Sequence, residues 1–165
     1  RNLSAFTETN GVFMEIKTFA DLIEWTRLWH LHLSDCLNGC AVKHQDERAK
    51  MLLGYIAGHE LEIGQIVTEF EKQADVNTLN TRVYDYVDHK PVKFHQSCDG
   101  HYSTLTPDQI CREIFEFHDQ VIALYDNLSG KAEIVEAKEL ADALLAMEQH
   151  EAKRLATQIG RIDEG

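Results

Sequence analysis

Four stretches of this chain repeat apolar residues at intervals of three and four, the spacing that turns one side of an α-helix toward a protein core. The four predicted helices cover 18–38, 46–72, 106–128 and 132–159. Their connections are unequal, because the outer two are short and the middle one has about 33 residues, far more than an ordinary loop. The sequence therefore predicts an all-α bundle of two helical hairpins joined by one long crossover.

Composition limits the partners that this chain can have. It contains 16 Lys and Arg residues and 28 Asp and Glu residues, which gives a formal net charge of -12. Nucleic acid and anionic membrane surfaces are excluded as partners, since both require basic patches. No apolar run is long enough for a membrane span, and the Walker, Rossmann and Gly-x-Ser-x-Gly motifs are absent. Whether the protein is an enzyme stays open.

Length and cysteine usage suggest one cytoplasmic domain. We expect residues 1–17 to be an N-terminal arm or a remnant of an added sequence, and 18–165 to be the bundle. No internal sequence repeat stands out. In a helix-rich chain of this size the four cysteines are expected to be reduced thiols, as in the cytoplasm. They are Cys36, Cys40, Cys98 and Cys111.

Each predicted helix carries a histidine near its midpoint: His30, His59, His118 and His150. Helix midpoints meet at one level in an antiparallel bundle, and bundle cores are where facing helices build metal sites. We therefore expect these imidazoles to form an interior metal site, with Glu148 as its anionic ligand. The alternative is a set of ordinary core or surface histidines, and it stays open.

Two segments resemble the ferritin-like superfamily, namely Ile-Ala-Gly-His-Glu at 56–60 and Met-Glu-Gln-His-Glu at 147–151. Ferritin-like di-iron proteins carry Glu-x-x-His in their second and fourth helices and a single Glu in each of the others. The resemblance covers 18–159 and implies a ferritin-like four-helix bundle with one long crossover between helices two and three. Of the motif only His59 and His150 carry over, because Ile56 and Met147 replace its glutamates.

The donor types limit which metal the resemblance implies. Imidazoles suit zinc, copper or nickel at least as well as iron, whereas a di-iron centre needs several carboxylates. We expect iron or zinc, with Glu148 and Glu151 supplying negative charge, or no metal if the site is degenerate. The other helices offer further candidates where the family has a single Glu: His30 or His32 in the first, and Glu113, Glu116, His118 or Asp119 in the third.

A second group of candidate ligands lies in the crossover. The spacing His95-x-x-Cys98-x-x-His101 suits zinc, and His89 or Cys111 would supply a fourth ligand. An ordinary polar loop without metal is the alternative.

The first predicted helix is apolar nearly all round, since Trp25, Leu28 and Leu31 lie off its main stripe. Such a helix must be covered on two sides, either by the crossover or by a second subunit. We expect a homodimer through this face, and a different protein partner is also compatible with it. The sequence thus favours a metal-binding protein of unassigned activity, with a metal-free interaction or structural module as the alternative.

Overall fold

The computed structural model describes residues 5–9, 12–83 and 100–164. Four long helices form the body of this part of the chain, as the sequence predicts, and two short N-terminal strands accompany them. In chain order the elements are β1 (Ala5–Thr9), β2 (Val12–Ile16), α1 (Phe19–Lys43), α2 (Glu47–Gln73), α3 (Val76–Leu79), a 3₁₀ turn (His101–Thr104), α4 (Pro107–Lys131) and α5 (Val135–Glu164).

Two of the predicted helix starts, at 18 and 106, are confirmed by their caps, whereas the fourth long helix begins at Val135 and not at 132. Thr18 begins α1 in a capping box with Asp21, and Thr106 begins α4 in a capping box with Gln109. The predicted end of α1 at Asn38 and Gly39 is wrong, since the helix continues to Lys43. Buried Cys40 extends the apolar face by another turn, and this packing outweighs the low helix propensity of glycine.

Sequence neighbours pair into two hairpins, α1 with α2 and α4 with α5, across connections of three residues at 44–46 and 132–134. The first hairpin is closely packed: the Ser34 hydroxyl donates to the Ala57 carbonyl oxygen at 2.7 Å, and a β-carbon at Gly64 would require the Leu31 side chain to shift. Between hairpins, the Thr26 and Tyr125 hydroxyls lie 2.5 Å apart and join α1 to α4.

Contacts at the two ends of α1 give the direction of α4. At the start of α1, the Phe19 amide donates to the Thr81 carbonyl oxygen at 3.0 Å. At its other end, His44 Nε2 lies 2.7 Å from the Leu105 carbonyl oxygen, just before α4 begins. Because α2 also begins at that end, α2 and α4 run in the same direction. A simple up-and-down meander would make them antiparallel.

The two N-terminal strands lie within residues 1–17, which the sequence predicts to be an arm outside the bundle. They pair antiparallel, with Ala5 opposite Ile16 and Thr9 opposite Val12. Ile16 is buried in the core beside the start of α1. Part of the predicted arm is therefore ordered against the bundle.

The apolar surplus of α1 is largely covered within the chain. Trp25 is only 1% exposed, and Leu28 and Leu31 are half-buried. Val83, at the start of the crossover, is fully buried, and its amide donates to the Lys17 carbonyl oxygen. The exposed patch from which we predicted a homodimer is thus absent in the described part of the chain, and the dimer stays a prediction without its original basis.

The expectation that all four cysteines are reduced is wrong for Cys36, which is disulfide-bonded, whereas Cys40 and Cys111 are not part of a disulfide. Disulfide pairing cannot be read from a cysteine count alone, because it depends on which cysteines the fold brings together. A disulfide is typical of oxidising compartments and counts against the cytoplasmic prediction. Across the residues described, no helix is long and apolar enough to cross a membrane.

Candidate functional site

One residue from each long helix reaches a common point at mid-height in the bundle. His30 lies thirteen residues before the end of α1 at Lys43, and Glu60 lies thirteen after the start of α2 at Glu47. His118 and Glu148 have the same positions relative to Lys131 in α4 and Val135 in α5. None of the four side chains exposes any surface. We call His30, Glu60, His118 and Glu148 the central cluster.

Hydrogen bonds connect the central cluster across both hairpins. Glu60 accepts from two imidazoles, with Oε2 at 2.5 Å from His30 Nδ1 and Oε1 at 2.6 Å from His118 Nε2. The other nitrogen of His30, Nε2, donates to Glu148 Oε1 at 2.9 Å. Both nitrogens of His30 therefore face carboxylate oxygens, which is the environment of a protonated imidazole.

Opposite charges set the protonation of the central cluster. Burial alone would lower the pKa of His30, but the carboxylates of Glu148 and Glu60 raise it to about 10. Burial likewise opposes the charged form of His118, and Glu60 overrides it and raises the pKa. Burial would raise the pKa of Glu60, yet His118 and His30 hold it well below its usual range. The cluster is thus a buried ion-pair network at neutral pH.

A second polar pair lies beside the central cluster, between α2 and α5. His59 Nε2 is 3.6 Å from Glu151 Oε2, and both side chains are almost fully buried. Burial lowers the pKa of His59, an effect only partly offset by Glu60 and Glu151, so this imidazole is neutral at pH 7. Glu151 also accepts a hydrogen bond from Arg154 at 3.2 Å.

Three buried polar atoms in this region lack a hydrogen-bond partner. They are His118 Nδ1, Glu148 Oε2 and His59 Nε2. Such atoms are uncommon in folded proteins, and each one calls for an explanation such as a catalytic role or an ion. His118 Nδ1 and Glu148 Oε2 lie 4.0 Å apart, so the polar atoms on this side of the central cluster lack hydrogen bonds.

Among residues 12–83 and 100–164, no group of three or more His, Cys, Asp or Glu side chains is already arranged to hold a metal ion. The contacts above give the reason. A metal ion needs several donor atoms at about 2.0–2.2 Å from one point, whereas here the imidazole nitrogens point at the carboxylate oxygens. The donor types fit a divalent ion, and the side chains would have to turn from one another to surround it.

Three predicted ligands, His30, His118 and Glu148, come together in the central cluster, and His59 lies next to it. His150 does not join them, because it is exposed on α5. Successive residues of a helix are about 100° apart, so a position two residues after Glu148 faces away from it.

The remaining candidates lie away from the central cluster. His32 is half-buried on α1 and its ring contacts Trp29. Glu116 and Asp119 are exposed. Glu113 bonds instead to His101, with His101 Nε2 at 2.7 Å from Glu113 Oε2.

The predicted crossover site cannot be placed as a whole. His89, His95 and Cys98 lie outside the described residues. His101 is half-buried in its contact with Glu113, and Cys111 is half-buried on α4 and forms no disulfide. A crossover zinc site therefore stays a prediction.

Glu60, the carboxylate that joins the two imidazoles, is not among the site residues predicted from the sequence. A signal for it exists: a histidine is followed thirty positions later by a glutamate in both hairpins, as His30 and Glu60 and again as His118 and Glu148. The hairpins correspond throughout at an offset of 88 residues, including their first helices at 19–43 and 107–131. We saw no repeat in the sequence because the matching core positions differ in residue type.

No protein-family model, curated protein or solved structure matches the chain.

Proposed function

We propose that this chain is a divalent-metal-binding protein of the ferritin-like type, with the central cluster as its site. One observation carries the proposal: four helices each contribute one histidine or glutamate to the same point, fully buried at mid-height. Convergence from four separate helices is how bundle proteins build metal centres.

The energetics of the central cluster favour a functional role over a structural one. Removing two carboxylates and two imidazoles from water is expensive, and their mutual attraction recovers the loss only in part. Replacing a buried ion pair with well-packed apolar residues is often neutral or stabilising. The network is therefore poorly explained as a device for stability alone.

Charge balance supports a divalent ion. The carboxylates of Glu60 and Glu148 together offset two positive charges, which protons on His30 and His118 supply in the metal-free protein. A divalent ion displacing those protons would leave the total charge unchanged, with two neutral imidazoles as ligands. Two nitrogen and two oxygen donors suit iron, zinc or manganese. When bound, the ion would provide a Lewis-acidic centre in a dry core.

The course of the helices supports the ferritin-like part of the proposal. The starts of α2 and α4 lie at the same end of α1, and this supports a long crossover between the two hairpins. Glu60 and Glu148 lie in the second and fourth long helices, where the family has Glu-x-x-His. In that alignment Ile63 and Glu151 occupy the histidine positions, so the site departs from the family pattern there.

Metal analysis of protein purified without an affinity tag tests the proposal. After chelator treatment, the protein should take up Zn²⁺ or Fe²⁺ in calorimetry and retain it through gel filtration. Glu60→Gln and His118→Gln should lose this binding. His150→Gln is the matched control, since this exposed histidine should be dispensable.

Two results would reject the proposal. One is a wild-type protein that neither contains nor takes up any divalent metal, and the other is uptake that Glu60→Gln leaves intact. The first would leave the metal-free helical bundle, acting as an interaction or structural module, as the better description.

A further inference from the structure

A chain of charged and polar side chains connects the buried interior with solvent between α2 and α5. It runs from His59 through Glu151 to Arg154, and from there to Glu62. Arg154 Nη1 lies 3.2 Å from Glu151 Oε2 and 3.2 Å from Glu62 Oε2. One guanidinium nitrogen thus bridges an inner and an outer carboxylate.

Exposure rises stepwise along this chain. Side-chain exposure is 4% for His59 and 6% for Glu151, but 45% for Arg154 and 53% for Glu62. The inner pair adjoins the central cluster, because His59 precedes Glu60 in α2 and Glu151 lies one turn after Glu148 in α5. The four residues therefore form a graded connection between the cluster and the surface.

The inner pair departs from the correspondence between the hairpins. At the offset of 88 residues, His59 corresponds to Met147 and Glu151 to Ile63. Both polar members thus occur where the other hairpin has an apolar residue. His59 Nε2 is nine-tenths buried, lacks a hydrogen-bond partner and faces Glu151, as an open ligand position would.

We propose that the seam between α2 and α5 is the route by which a divalent cation reaches the central cluster, with His59 and Glu151 as a transient binding position and Arg154 as its gate. The proposal rests on the function proposed above and specifies how the site is loaded. In the empty protein the guanidinium neutralises Glu151. An approaching cation takes its place at Glu151, and Arg154 remains with Glu62 at the surface.

This arrangement answers two physical requirements. A carboxylate left unpaired at this depth would be costly, so Glu151 needs a partner while no metal is present. That partner must also leave easily, and Arg154 is half exposed with a second carboxylate already within reach. Its positive charge would meanwhile slow the approach of cations to the seam.

Stopped-flow Co²⁺ uptake by the full-length, chelator-treated protein tests the route, because Co²⁺ bound to protein ligands absorbs visible light. Arg154→Gln should accelerate uptake on the order of tenfold, the low end of electrostatic rate effects, without changing the amount bound. Glu151→Gln should slow uptake. Arg161→Gln is the matched control, since it removes the same charge from an exposed position two turns further along α5; its rate should stay within about twofold of wild type.

The outcomes separate the route from the proposed function. Normal Co²⁺ binding with equal rates in Arg154→Gln and Arg161→Gln would overturn the gate while leaving the metal site in place. Wild-type rates in Glu151→Gln would overturn the route itself. Failure of the wild-type protein to bind Co²⁺, Zn²⁺ or Fe²⁺ at equilibrium would reject the proposed function, and the route with it.

Discussion

Replacing Glu60 with glutamine should destabilise the metal-free protein strongly, although the side chain keeps its size. The carboxylate accepts one hydrogen bond from His30 and one from His118, each with a charged donor and each worth about 1.5–3 kcal/mol. A glutamine amide can replace at most one acceptor, and its NH₂ group would face a second imidazole N–H. Breaking a buried ion pair from one side typically costs about 3–5 kcal/mol.

Urea and thermal unfolding in the presence of a chelator measure this loss. At about 2–4 °C per kcal/mol for a domain of this size, Glu60→Gln should lower Tm by about 10 °C. Glu139→Gln makes the same chemical change at an exposed position of α5 and should stay within about 0.5 kcal/mol of wild type. Replacing all four residues of the central cluster with leucine should recover most of the stability, because no charge is then left unpaired.

Equal unfolding free energies for Glu60→Gln and wild type would refute the reasoning. The central cluster would then be hydrated or open in solution, and its buried ion-pair network would not exist. A quadruple leucine variant less stable than Glu60→Gln would contradict the claim that the network serves something other than stability.

Two further predictions concern the first hairpin. Gly64→Ala should be less stable than Gly58→Ala by about 0.5–1.5 kcal/mol in urea unfolding. A β-carbon at position 64 would lie 2.8 Å from Leu31 Cδ2 and would turn that half-buried side chain out of its preferred rotamer, whereas position 58 is open. Equal stabilities would mean that the Leu31 side chain moves aside at no cost. Burial and the neighbouring carboxylate of Glu24 raise the pKa of Glu71 to about 7, so its ionisation destabilises the fold as pH rises from about 4.5 through 7. The free energy of unfolding of Glu71→Gln should therefore equal that of wild type at pH 4 and exceed it at pH 8 by about 0.5 kcal/mol, a small value because the side chain is partly solvent-screened. Urea unfolding at the two pH values measures this, and a difference independent of pH would contradict the raised pKa of Glu71.

The helical architecture was predictable because its signals are local. Apolar spacing identified the four long helices, and the predicted starts at 18 and 106 coincide with the N-caps Thr18 and Thr106. The end of α1 was not predictable in this way, because glycine at position 39 normally stops a helix and only the tertiary contacts of Cys40 show why it does not. The disulfide of Cys36 depends on chain pairing in space and has no local signal at all.

The candidate site was half predictable for a related reason. Placing residues at mid-helix identifies the level of the bundle but not the rotation of each helix about its axis. His30, His118 and Glu148 were found, whereas exposed His150 passed the same test. Glu60 was not predicted because its neighbour His59 also lies on the inner side of α2, and histidine was the residue type expected as the ligand from that helix.

The correspondence of the two hairpins explains why the central cluster takes its particular form. When two similar hairpins pack together, matching residues meet at mid-height. Each hairpin here contributes one histidine and one glutamate, so the cluster contains two imidazoles and two carboxylates. Such a set carries balanced charge whether two protons or one divalent ion occupy it. Symmetry alone, however, provides no opening to solvent. His59 and Glu151, which break the correspondence, lie together between α2 and α5, and Arg154 and Glu62 extend this polar connection to the surface. A connection on one side only is what the proposed loading of a buried site requires.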